Sequence, residues 1–286
     1  MKIILFGDYH YISDHNYNEN LKYYDYNEDF RNMKREFNEF SIGEIFKEDA
    51  DYYVSIGDLT NAGLKDEIEG IYGFIGDTGK LDRFIHVFGN HDLYSNTTEE
   101  LAAMTNQRYN HAIDTEFAKF IILSSSREKD IVHWGGYLSD EILDFLEEEI
   151  KETEDKPVIV LSHHPIYDTV MRSNYLNHYI ESNRNIWEIL NKNVRLFVAG
   201  HTHCESIKTI ENLNFVNLDA FLDHPKYSVM NITEDEIDIK SVEIELPEKI
   251  EEYRKQIGSN MPYFMFTSTG RGTTRDREIT IKLKNN

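Results

Sequence analysis

The chain has 286 residues and a formal net charge of −22, from 30 Lys and Arg against 52 Asp and Glu. So acidic a surface makes extended nucleic acid a poor partner, because binding it depends on cations that displace counterions from phosphates; a small anionic substrate would need metal to offset the field. The single cysteine, Cys204, excludes an intrachain disulfide, and no apolar stretch reaches the roughly 20 residues that span a bilayer, so a soluble, cytoplasmic protein with no membrane partner is expected.

Lys2 to Gly7 reads as a buried first strand followed by Asp8-Tyr9-His10. Residues 11–29, rich in Asn, Tyr and Asp without a clear period, read as a long surface loop. Phe30, Met33, Phe37 and Phe40 recur at helical spacing and predict an amphipathic helix to about Glu48. Tyr52 to Ile56 is a second strand ending at Gly57-Asp58, and Lys65 to Gly73 a helix. Phe84 to Phe88 is a third strand, which stops at Gly89, a residue free to turn sharply, before Asn90, His91 and Asp92.

Farther along, the apolar residues around Phe120 to Leu123 form a strand with a preceding hairpin partner, and Gly135-Gly136 marks a turn. Ser139 is placed to cap a helix that carries Ile142, Leu143, Leu146 and Ile150 on one face. Pro157 to Leu161 is an apolar strand ending at Ser162-His163-His164-Pro165. A helix follows at Ile186 to Leu190, then a strand at Leu196 to Ala199 that ends in Gly200-His201-Thr202-His203. Strand-like pieces near 213–218, 226–232 and 236–244 close the series. The alternation of strands and helices predicts an α/β fold with a largely parallel sheet, and the late strands suggest a second sheet packed on the first. Residues 245–286 carry eight Lys and Arg against six Asp and Glu, a slightly basic tail on an acidic body.

Five strands therefore end in polar groups: Asp8 and His10, Asp58, Asn90 and His91, His163, and His201 with His203. Parallel strands deliver their carboxyl ends to one edge of a sheet. Imidazole nitrogens mixed with hard oxygens suit Mn, Fe, Zn or Co rather than Ca. The candidate ligands are too many for one tetrahedral zinc and fit two metal ions sharing a carboxylate, about 3.5–4 Å apart, an arrangement suited to a phosphoryl group.

Asp8-x-His10, Gly57-Asp58, Gly89-Asn90-His91-Asp92, His163-His164-Pro165 and Gly200-His201-x-His203 together resemble the ordered motif set of the calcineurin-like metallophosphoesterases, over residues 1 to about 244. Gly-Gly-Tyr-Leu-Ser at 135–139 is similar to the cyclic-nucleotide phosphodiesterase branch. The resemblance implies a four-layer αββα sandwich of two mixed sheets flanked by helices, with residues 245–286 as an extension that packs on the domain or on a partner subunit. It implies one divalent or transition metal ion (Mn, Fe or Zn) held by Asp8, His10, Asp58 and His203. A second ion would be held by Asp58, Asn90, His163 and His201, with Asp58 bridging. By the same resemblance, His91 contacts the phosphate and protonates the leaving oxygen, Asp92 orients His91, and water activated between the ions is the nucleophile. Asn61 stands where purple acid phosphatases carry a tyrosine ligand.

The expected function is hydrolysis of a small phosphate ester, a phosphodiester preferred over a phosphomonoester or nucleotide pyrophosphate. A silent scaffold on the same fold is the alternative of another class, against which the complete motif set argues. His164 is expected beside the ligands or facing substrate, Cys204 as a packed side chain, and His15, His178 and the segments 11–29 and 166–180 as possible pocket walls. Arg271 and Arg275 are expected to dock the tail on the acidic body rather than to reach substrate.

Overall fold

The computed structural model describes residues 1–18, 21–25, 28–153, 156–267 and 269–283, with the backbone alone described for 15–18 and 21–25. In chain order the strands are β1 (Lys2–Phe6), β2 (His15–Asn18), β3 (Leu21–Asp25), β4 (Tyr52–Ser55), β5 (Phe84–His86), β6 (His111–Asp114), β7 (Lys119–Leu123) and β8 (Gly136–Leu138). They continue as β9 (Val158–Ser162), β10 (Ile180–Ser182), β11 (Val194–Ala199), β12 (Ser206–Ile210), β13 (Leu213–Asn217), β14 (Lys226–Ile232), β15 (Glu236–Glu243) and β16 (Glu278–Lys282). The helices are α1 (Glu28–Ile45), α2 (Lys65–Asp77), α3 (Thr98–Thr105), α4 (Asp140–Lys151), α5 (Ile186–Leu190) and α6 (Glu248–Asn260).

Two six-stranded mixed sheets form the body. The first runs β16-β15-β14-β1-β4-β5, and the second β12-β13-β11-β9-β7-β6. Strands β1, β4 and β5 are mutually parallel in the first sheet, as are β7, β9, β11 and β13 in the second.

The period-two alternation of strand side chains assigns the layers. Ile3, Leu5, Val54 and Ile56 of the first sheet meet Phe120, Ile122, Ile159, Leu161, Leu196 and Val198 of the second in one buried core. The intervening Ile4, Phe6 and Tyr53 point the other way, onto Phe37, Ile42 and Ile45 of α1, Ile71 and Ile75 of α2, and Ile250 and Ile257 of α6. On the far side, Ile121, Val158, Val160 and Phe197 pack on Leu143, Leu146 and Ile150 of α4 and on Ile186 and Ile189 of α5. The order helix, sheet, sheet, helix is the expected αββα sandwich. Because every central strand is buried on both faces, β1, β7 and β9 read in the sequence as unbroken apolar runs.

Several sequence expectations need correction. The late strands build no sheet of their own: β13 joins the second sheet, while β14, β15 and β16 extend the first. The described part of 11–29 is not one long surface loop. Tyr11 and Ile12 are core residues, and the backbone of β2 and β3 pairs as an antiparallel hairpin. Gly135-Gly136 leads into β8, which pairs in parallel with β10; a three-residue strand whose partner lies over 40 positions away leaves no local signature. Helix α1 ends at Ile45, and α2 runs past Gly73 to Asp77. Ser139 caps α4 as expected, accepting from the Ile142 N–H. The tail contributes α6 to the first core and β16 to the first sheet, and Arg271 pairs with Glu243 at 2.8 Å. No helix among the described residues is long and apolar enough to cross a membrane.

Glu67 of α2 is fully buried. Its Oε2 accepts from the Ala62 N–H at 2.8 Å and the Leu64 N–H at 3.3 Å, while Oε1 has no partner. Burial pushes this carboxyl up from 4.5 to about 8. Its contribution to stability is therefore complete below pH 4.5. It is lost as the pH rises, because the unfolded chain ionises first and the folded one resists until about pH 8. Glu67→Gln should remove that loss. In denaturant titrations at pH 5 and pH 8.5, the variant should gain on the wild type between the two by a few kcal/mol, on the order of 3–5; a constant difference would place the titration elsewhere.

Candidate metal centre

The carboxyl ends of β1, β4 and β5 from one sheet and of β9 and β11 from the other meet at one edge of the sandwich. There the loops leave the strands abruptly. Asp8, His10, Asp58, His201 and His203 all adopt left-handed backbone angles, with φ of 48°, 52°, 48°, 68° and 51°. Asp and His tolerate this region better than most residues, yet each instance costs about 1–3 kcal/mol. The reversals turn all five side chains into the same buried space.

The loops are tied to one another by their backbones. The Asp8 N–H donates to Gly57 O at 3.1 Å, that of His10 to Asp58 O at 2.9 Å, and that of Gly200 to His163 O at 2.9 Å. Two glycines make the approach possible. Gly57 has φ 94°, and a Cβ there would lie 2.3 Å from His163 Nδ1. Gly89 serves by its size rather than by its backbone freedom: a Cβ would fall 2.2 Å from both the amide nitrogen and Oδ1 of Asp58.

Asp58 sits at the centre. Its Oδ1 accepts the His91 N–H at 2.8 Å. That leaves Oδ2 facing His163 Nε2 at 3.2 Å and the Nε2 atoms of His10 and His91 at 4.0 Å each. Asn90 is aimed by Tyr94: its Nδ2 donates to the tyrosine hydroxyl at 2.8 Å, so Oδ1 faces His163 Nε2 at 3.1 Å. His201 Nδ1 is 3.2 Å from the same His163 nitrogen, and both oxygens of Asp8 accept the His201 N–H. On the other side, the Nε2 atoms of His10 and His203 are 3.2 Å apart, and His203 Nε2 is 3.5 Å from Asp8 Oδ1.

This donor set fits metal ions. One nitrogen, His163 Nε2, faces a carboxylate oxygen, an amide oxygen and an imidazole nitrogen at once, and a single proton cannot satisfy three such neighbours. His10 Nδ1 is buried without a partner. Asp8, His10 and His203 form one group whose ligand atoms lie within 4.8 Å of one another, and Asp8, Asp58 and His163 form another. Nitrogen and oxygen donors of this mix suit a transition ion.

The electrostatics divide four imidazoles of the centre, holding His163 and His203 charged and His10 and His201 neutral. Burial opposes protonation of His163, but the nearby Asp58 carboxylate outweighs it and raises the ring to about 9. Burial also opposes the charge on His203, which Asp223 and Asp8 nevertheless lift to about 10. His10 moves the other way, well below its ordinary value, through burial and the neighbouring His91. For Asp58, burial is overridden by His163 and His91, and the carboxyl falls well below the usual range.

All seven expected ligand positions and His91 thus come together, but Asp92 does not orient His91. Its carboxylate accepts from the Thr60 N–H and hydroxyl at 2.8 Å each, from the Gly89 N–H at 2.9 Å, and meets His86 Nε2 at 3.0 Å. It braces the strand-end loops, which fall on its side of the chain, whereas the ring of His91 turns away. The partner of His91 Nδ1 is the Asn61 carbonyl oxygen at 2.6 Å, a backbone contact with no side-chain signature. His164 touches Ser125 Oγ and Trp134 O at 2.9 Å each; burial and His163 lower it to about 3, so it is a neutral spacer beneath His201. Cys204 is buried. His178 lines the cleft above the centre, whereas the side chain of His15 lies outside the described residues. Sequence reasoning missed Tyr94, Asp223 (3.6 Å from His203 Nδ1) and Phe264, whose ring lies 5.3 Å from that of His10 and 5.6 Å from that of His203.

Two mixed sheets with this His/Asp cluster at their common edge define a metal-dependent phosphoesterase. The model of the calcineurin-like phosphoesterase family matches residues 1–205, and the chain belongs to that family. Among solved structures, GAP50, the anchor in the inner membrane complex of Plasmodium, is 12% identical with a TM-score of 0.53, covering 96% of this chain and 99% of that one. The purple acid phosphatase PPD1 from yellow lupin seeds is 13% identical with a TM-score of 0.55, covering 96% of this chain and 54% of that one. At such identities the likeness is one of fold. A search of curated proteins finds no match.

Gly89→Ala tests the packing of the centre. The added methyl must displace Asp58, so divalent metal should bind at least about tenfold more weakly by calorimetry while the far-UV spectrum is retained. Unchanged affinity would show that the Asp58 loop gives way freely.

Proposed function

We propose that the protein is a dinuclear metal-dependent phosphodiesterase acting on a small phosphate ester in the cytoplasm. Asp8, His10, Asp58 and His203 hold one ion; Asp58, Asn90, His163 and His201 hold the second. The observation that carries this reading is the position of Asp58 Oδ2 between His163 on one side and His10 on the other, at 3.2 and 4.0 Å. When bound, two such ions supply positive charge against the phosphoryl oxygens and activate water for attack.

The chain's own groups do the rest. Asn61 O fixes the Nδ1 side of His91, so Nε2 is the atom that faces the cleft and can carry a proton to the departing alkoxide. Tyr94 keeps the Asn90 amide oxygen turned inward. Phe264 and Tyr94 cover the imidazoles of His203 and His91, limiting water beside them. The net charge of −22 disfavours extended nucleic acid and leaves a small ester as the substrate.

Metal analysis after loading with Mn should give close to two ions per chain, and Asp58→Asn should lower both occupancies where Asn90→Ala lowers mainly one. Two tightly held ions in Asp58→Asn would refute the shared carboxylate.

His91→Ala should keep its metal yet lose turnover of alkyl phosphodiesters by about 10²–10⁴-fold, since a basic alkoxide needs the proton. The loss should be much smaller on nitrophenyl esters, whose leaving group departs unaided. Equal losses on both would assign His91 to phosphate binding instead.

A further inference from the structure

The cleft over the metal centre has a volume of about 580 Å³, enough for an organic group well beyond a phosphate. Its walls include Tyr94, Ile131, Trp134, Tyr263, Met265 and Phe266 beside the imidazoles of the centre. Of the eleven exposed large hydrophobic side chains among the described residues, four line this cleft: Ile131, Tyr263, Met265 and Phe266. Exposed apolar side chains gathered in one place mark a binding surface.

The aromatic rings rise from the centre as two walls. On one side His91 contacts Tyr94 at 4.5 Å and Tyr94 contacts Tyr263 at 6.1 Å. On the other, His201 contacts Trp134 at 5.3 Å and Trp134 contacts His178 at 4.9 Å. Residues 262–267 lie beyond the 205 residues that the family model matches. They are held in place by Asn61 Nδ2, which donates to Pro262 O at 2.9 Å, and by the Thr267 N–H, which donates to Asp223 Oδ1 at 2.8 Å.

Among the described residues, Arg172 is the only Lys or Arg lining the cleft. Its backbone is left-handed, with φ 63°, and its Nη2 donates to the hydroxyls of Thr267 and Thr269 at 2.9 and 2.5 Å rather than to a carboxylate. A guanidinium held by neutral hydroxyls keeps its charge and remaining donors for an anionic oxygen.

We propose that the substrate is a phosphate ester bearing an aryl or similarly flat apolar group, gripped between the Trp134 and Tyr263 walls, with Met265 closing the rim and Arg172 holding an anionic oxygen. The proposal rests on the phosphodiesterase reading for its chemistry and extends it to specificity. Residues 262–267 are then specificity-determining and Arg172 is a substrate-binding residue.

The test is calorimetric titration of Mn-loaded protein with phenylphosphonate and methylphosphonate, which share the anion and differ in the organic group. The phenyl compound should bind at least about tenfold more tightly. In Tyr263→Ala/Met265→Ala, which truncates two exposed side chains, that ratio should fall towards one. Arg172→Gln should weaken both compounds about tenfold and leave the ratio in place. Equal affinity for the two compounds in the wild type, or a ratio that survives the double substitution, overturns the proposal and assigns the apolar rim to another occupant. Turnover of diethyl phosphate and ethyl benzyl phosphate, which differ in the aryl group alone, is measured alongside. Hydrolysis without an aryl preference sinks only the specificity inference, whereas an aryl preference in binding without hydrolysis of either ester removes the phosphodiesterase reading and leaves the aryl site standing.

Discussion

The organising constraint of this molecule is the crowding of lone pairs around Asp58 Oδ2 and His163 Nε2. Oxygen and nitrogen acceptors approach within 3.1–3.2 Å of one imidazole nitrogen, with too few protons to pair them. No secondary structure element does this on its own. It takes five strand ends, three from one sheet and two from the other, each reversing direction within two or three residues. Left-handed backbone at Asp8, His10, Asp58, His201 and His203 is the local cost, and together these five positions oppose folding by an amount comparable with the net stability of an ordinary domain.

The sandwich can carry that load because its strands are buried on both faces. Ile3 and Leu5 close the core between the sheets while Ile4 and Phe6 close the core beneath α1 and α6, so a single five-residue strand serves two hydrophobic layers. The same apolar continuity anchors the strand ends rigidly, and rigid anchors are what allow a short loop to hold an unfavourable angle. The apolar runs and the polar residues that end them are therefore two parts of one device.

This is also why so much of the architecture was legible in the sequence. Continuous apolar runs announced β1, β7 and β9, and a polar residue straight after each central strand announced where the side chains would gather. What stayed hidden is what side-chain identity does not encode. The contact of His91 is to a backbone carbonyl, that of Asn61, which any residue would supply. Asp92 looks in sequence like a partner for its neighbour and in space braces Thr60, Gly89 and His86. Gly89 reads as a turn former and acts by lacking a methyl group. Strands β12 and β16 carry mixed polar patterns, because edge and surface pairing leaves no apolar stripe, and Phe264 reaches His10 across more than 250 residues of chain.

The first sheet also sets the order in which the chain can become functional. Strand β1 lies between β4, parallel to it and about 50 residues away, and β14, antiparallel and more than 220 residues away. During synthesis, at about 5–20 residues per second, the earliest strand gains one neighbour within seconds and then waits for the other until Ile232 has emerged. Phe264 and the walls of the cleft come later still. Long-range pairing of this kind is slow to form, and until it does, the apolar edge of β1 and the polar side chains of Asp8 and His10 at its end are both open. The nascent chain therefore presents Asp8 and His10 long before His201 and His203 exist to face them, and the assembled centre belongs to a late stage of its folding.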